Sequence, residues 1–85
     1  MSLATSSDQL RAARALLGLS QPDVAAAANV SSMTVKRAEG SGKPAPSADA
    51  VKAIRRALES AGIEFIPENG GGTGVRLRKG GGGGG

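Results

Sequence analysis

Along most of this chain apolar residues recur at helical intervals, and near its end they alternate instead. Leu10, Ala13, Leu16 and Leu17 have the spacing of one helix face, with Ser6 or Ser7 placed to cap the start and Gly18 to end it. Ser20 and Asp23 have the spacing of a capping box, and Gln21 and Pro22 fall at the helix start, where a missing N–H costs nothing. Val24, Ala25, Ala27 and Ala28 continue that pattern, so a second helix is predicted over Gln21–Ala28. Asn29 then stands where the chain must turn, and Asn tolerates the left-handed conformation better than most residues. Ser31 is an N-cap for a third helix from about Ser32 to Glu39, with Val30 before it placed to staple onto Val35.

The segment from Gly40 to Pro46 holds two Gly and two Pro and reads as a loop. Ser47 caps a fourth helix that carries Val51, Ile54, Ala57, Leu58 and Ala61 on one face and Lys52, Arg55, Arg56 and Glu59 on the other, with Gly62 beyond its end. Ile63–Ile66 and Val75–Arg78 alternate as short strands, with Val75 and Leu77 facing inward and Arg76 and Arg78 outward. A lone two-stranded hairpin is marginal in water, so it must pack on helices or pair with a second copy. Apolar Ile63, Phe65, Val75 and Leu77 are therefore the expected dimerisation residues. The fold class is mainly α: a four-helix domain with an appended C-terminal β-hairpin. Its expected parts are a flexible N-terminus (1–6), the helical domain (7–62), the hairpin (63–79) and a Gly tail (80–85) that reads as tag or linker.

Composition narrows the chemistry. In 85 residues there is no Cys, His, Trp or Tyr. Without Cys there is no disulfide, which suits a reducing cytoplasm. Without Cys and His, most transition-metal sites and most nucleophile–base pairs are out of reach, so neither a metal nor a cofactor is expected and an enzyme is disfavoured. No apolar run approaches the ~20 residues that span a bilayer, and no secretory signal is visible at the N-terminus. The net charge of +4 falls entirely from Ser32 onward, because Arg11 and Arg14 balance Asp8 and Asp23 before it. A basic surface favours polyanions, although charge of this size also serves solubility.

Two short helices joined by a tight turn make a helix-turn-helix, whose second helix can enter a DNA major groove. Ser32, Met33, Lys36 and Arg37 are then the candidate base readers. Ser32 and Met33 occupy the first turn, Met33 suits a thymine methyl, and Arg37 suits guanine bidentately. The plainer alternative is a solvated helix face with one exposed Met.

The four helices resemble the Cro/repressor-like (XRE-type) regulators over roughly residues 8–62. Arg14, Gly18-Leu19-Ser20-Gln21, Val24-Ala25, Asn29-Val30-Ser31, Val35 and Glu39-Gly40 carry the likeness. The tail GIEFIPENGGGTGVRLRK is similar to the end of short bacterial single-domain forms. The resemblance implies a cytoplasmic, bacterial transcription regulator and a structural ion pair between Arg14 and Glu39. It departs from the family at Asn29, where Gly is frequent, and at Ala38, where a large apolar residue is frequent. Resemblance and helix-start geometry together place Gln21 at a DNA phosphate. Thr34 and Lys43 are further phosphate candidates, with helix cover and ordinary surface charge as their plainer roles. Arg76, Arg78 and Lys79 either touch the DNA backbone or keep an edge strand soluble. The expected partners are double-stranded DNA and a second copy in a homodimer, with no membrane. The alternative function is an antitoxin-like or co-regulator module whose hairpin pairs with a partner protein by strand addition.

Overall fold

A computed structural model describes residues 5–67 and 74–78. Four helices, α1 (Ser7–Leu17), α2 (Gln21–Ala28), α3 (Ser32–Ala38) and α4 (Ala48–Ser60), precede two antiparallel strands, β1 (Ile63–Ile66) and β2 (Gly74–Leu77). Each helix starts on a serine in extended conformation whose hydroxyl accepts the N3 backbone N–H: Ser6, Ser20, Ser31 and Ser47. Ser6 with Gln9 and Ser20 with Asp23 are full capping boxes, with the reciprocal bond in place. Of the two serines available at the first helix, Ser6 is the cap, because only it has Gln three residues on. Residues 5 and 6 are thus held rather than loose, since the Thr5 hydroxyl also accepts from Arg55 at 2.9 Å. Residues 1–4 of the expected flexible N-terminus, the expected turn over 68–73, Lys79 of the basic strand end and the 80–85 tail lie outside the described residues.

The core is one cluster drawn from all four helices and β1, with Val75 of β2 packed against it. Leu10 and Ala13 of α1, Val24 and Ala25 of α2, Val35 and Ala38 of α3, Ile54 and Leu58 of α4, and Ile63 and Phe65 of β1 are all buried. Val30 packs against the same cluster, and Ala38 is buried where a bulkier residue is common in the resembled family. Removing a fully buried Leu or Ile side chain from water is worth about 1.5–3 kcal/mol, so this cluster carries the domain. Two sequence expectations shift. Leu16 is 47% exposed, because the buried line of α1 runs through residues 10, 13 and 17 and leaves position 16 off it. Arg55 was expected on the solvent face of α4, but its guanidinium lies 4.8 Å from the Phe65 ring centroid and bonds Glu59 at 3.1 Å.

The hairpin packs on α1 and α4, pairing Ile63 with Leu77 and Phe65 with Val75. The dimerisation assignment changes as a result. Ile63 and Phe65 are buried within a single protomer, and Val75 is half-buried against the core. Of these four, only Leu77, at 51% exposure, keeps its side chain largely in solvent. The helices have thus already covered the face that a second copy was expected to cover. Gln9 joins the two parts of the molecule. Its side-chain carbonyl accepts the Ser6 N–H at 2.9 Å, while its amide donates to the Gly74 carbonyl at 3.1 Å and the Ile66 carbonyl at 3.4 Å. At the other end of the hairpin, the Arg78 N–H donates to the Gly62 carbonyl and its guanidinium to the Glu59 carbonyl. Among the described residues no helix is long and apolar enough to cross a membrane.

Candidate nucleic-acid interface

The turn between α2 and α3 needs one left-handed residue. Asn29 supplies it at φ 59, and Asn29 and Val30 return their N–H groups to the Ala26 and Ala25 carbonyls at 3.3 and 3.0 Å. The chain re-enters a helix two residues later, on the Ser31 cap. This turn sets the direction of α3 relative to α2, and Val35 and Ala38 then fix its rotation by burying one side of it.

At 100° per residue, burial of positions 35 and 38 turns positions 32, 33, 36 and 37 outward together. Ser32, Met33 and Lys36 are exposed and Arg37 is half-buried at the edge of the same face. Met33 is 50% exposed, one of few large apolar side chains left in solvent among the described residues. The face has two cations and no acid, and both cations also sit favourably in the last turn of the helix dipole. Thr34 lies off the face. Its hydroxyl is 2.9 Å from the Ser31 hydroxyl, so it serves the N-cap. Lys43 is exposed in the loop after α3.

Directly behind this face is a buried polar knot. Glu39, the C-cap of α3, is only 4% exposed. Its Oε2 accepts from Arg14 Nε at 2.7 Å, and its Oε1 accepts from Arg14 Nη2 at 3.0 Å and from Gln21 Nε2 at 3.1 Å. Arg14 Nη1 also donates to the Leu19 carbonyl at 3.0 Å, and Arg11 Nη1 to the Glu39 carbonyl at 3.4 Å. The hydrogen bonds to Glu39, helped by its charge, raise the Arg14 pKa against the opposing effect of burial. Three residues therefore tie together α1, the start of α2 and the end of α3. No buried side-chain nitrogen or oxygen among the described residues lacks a partner.

The structure brings Ser32, Met33, Lys36 and Arg37 onto one face and joins Arg14 to Glu39 behind it. Gln21, assigned from sequence to a DNA phosphate, gives one amide hydrogen inward to the Glu39 carboxylate. Sequence reading missed that role, and it missed Gln9 as the clamp on the hairpin. The Ser-x-x-Gln spacing at Ser6 was a visible signal for the cap, whereas nothing local marks the reach of Gln9 to residues 66 and 74.

A search of curated proteins finds no match to the chain. A family model described as a helix-turn-helix domain matches residues 7–64, all four helices and the first residues of β1. With that match over most of its length and with the turn and exposed α3 described above, the chain belongs to the helix-turn-helix domain family.

Proposed function

We propose that the protein is a sequence-specific DNA-binding transcription regulator of the Cro/repressor-like type, which reads operator half-sites with α3 in the major groove as a homodimer. The observation that carries this reading is the outward face of α3, where Ser32, Met33, Lys36 and Arg37 stand together on a helix anchored from behind. Arg37 bonds guanine, Met33 lies against a thymine methyl, and Ser32 and Lys36 complete the contacts to base edges. Lys43 neutralises a phosphate. Gln21 meets another through the amide hydrogen not given to Glu39, and Thr34 approaches the backbone beside it. Affinity is then salt-dependent, because each neutralised phosphate releases counterions. Two copies read half-sites about one helical turn, or 34 Å, apart.

Selection of bound sequences from random duplex DNA tests this directly. The expected product is an inverted repeat with that spacing. An unpaired half-site would retain base reading and remove the dimer, and no enrichment at all would overturn the proposal. Arg37→Ala is expected to lose about 1–3 kcal/mol of discrimination at one base pair, measured by competition between the selected site and its single-base variants. Lys43→Ala should weaken all sequences alike and reduce the slope of log K against log salt by about 1.

A further inference from the structure

We infer that β2 pairs edge to edge with β2 of a second copy, antiparallel and centred on Arg76, making a four-stranded sheet across a two-fold axis. The inference rests on the homodimer proposed above and says which surface forms it.

The hydrogen-bond phase of the hairpin identifies the free edge. Arg78 N–H bonds the Gly62 carbonyl at 2.6 Å, directly opposite in the register that also pairs Glu64 with Arg76 and Ile66 with Gly74. Residues 74, 76 and 78 therefore turn their backbone groups toward β1, and Val75 and Leu77 turn theirs away from it. Among the described residues no hydrogen bond reaches the outward N–H and C=O groups of Val75 and Leu77. The corresponding edge of β1 belongs to Ile63 and Phe65, which are buried, whereas Arg76, Leu77 and Arg78 of β2 and its end are exposed. An unpaired edge of this kind is a template for another strand.

The occupant follows from self-complementarity. With Arg76 opposite Arg76 of the second copy, Val75 of each strand faces Leu77 of the other. Both outward residues of both strands then exchange N–H and C=O within positions 75–77, which a two-fold axis at residue 75 or 77 does not achieve. The half-exposed Leu77 side chain lands beside the partner's Val75, on the face that already covers the core. Like charges placed opposite each other are unfavourable, but each Arg76 is bonded to its own Glu64 at 2.8 Å. The row across the axis is thus acid, base, base, acid and carries no net charge.

A single engineered cysteine tests the register, because the chain has no native one. Residues meeting at a non-hydrogen-bonded position have Cα atoms about 4.5 Å apart, within reach of a disulfide. Arg76→Cys should crosslink into a covalent dimer under mild oxidation, and Glu64→Cys, one strand farther from the axis on each side, should not. Val75→Pro removes an outward donor and leaves the internal ladder intact, so it should convert a dimeric mass in sedimentation to a monomeric one with an unchanged circular dichroism spectrum. Failure of Arg76→Cys to crosslink, or a dimeric mass that survives Val75→Pro, would overturn the pairing. Selection of a half-site by such a protein would show that DNA reading stands without it.

Discussion

Glu39 shows how much of this small domain depends on single side chains. Its carboxylate is nearly enclosed and satisfied by Arg14 and Gln21 together. Breaking a buried pair by removing one partner strands the other charge, at a cost of about 3–5 kcal/mol. Glu39→Ala should therefore lower stability by that order in urea denaturation, a fall in melting temperature being the first sign. Gln9 invites a finer test. Gln9→Glu keeps the oxygen that serves the Ser6 N–H but sets a carboxylate against the Ile66 and Gly74 carbonyls. The expected loss is about 1–3 kcal/mol, the range for leaving buried polar groups unsatisfied. Sequence made the Ser20 cap readable, and narrowed the first cap to Ser6 or Ser7, because a capping partner lies only three residues away. The links from Gln9 to Gly74 and from Gln21 to Glu39 were not readable, because they join residues brought together only by the packed core.

At the scale of elements, each helix is bounded by local chemistry and oriented by distant contacts. Three serine caps and the left-handed Gly18 and Asn29 could be placed from sequence alone, and the first cap to within Ser6 or Ser7, which is why the helix limits agree to within a residue. The hairpin was harder. Its alternation revealed the strands, but whether Ile63 and Phe65 faced helices or a second copy depended on how α1 and α4 packed. Its outer face is held partly by charge. The Arg76 hydrogen bond, with its charge, holds the Glu64 carboxyl below its ordinary range near 4.5. Asp23 is likewise held below 3.8, first by the Ser20 backbone N–H and then by its hydroxyl. Both folded pKa values are depressed, so both contributions are complete above the ordinary values and fade as pH falls through the folded ones. Melting temperature should thus decline below about pH 4, and Glu64→Gln should flatten that decline.

Over the whole molecule, a domain of this size has little margin, and the hairpin closes a core that four short helices leave open. The helix-turn-helix pair was legible in the sequence because it is contiguous, and the family match covers it. The outward face of α3 followed from helical periodicity. The support behind it followed only from family resemblance, and the Gln21 bond within it from neither. That support has a consequence for how such a regulator diversifies. At seven residues α3 is too short to persist as a free helix, so its conformation is borrowed from Arg14, Glu39 and the buried Val35 and Ala38. None of those residues belongs to the outward set. On the proposed DNA-reading role this surface behaves like type locked in a frame: positions 32, 33, 36 and 37 are free to be reset by drift or by design, which would give new targets to descendants that inherit the same scaffold unchanged.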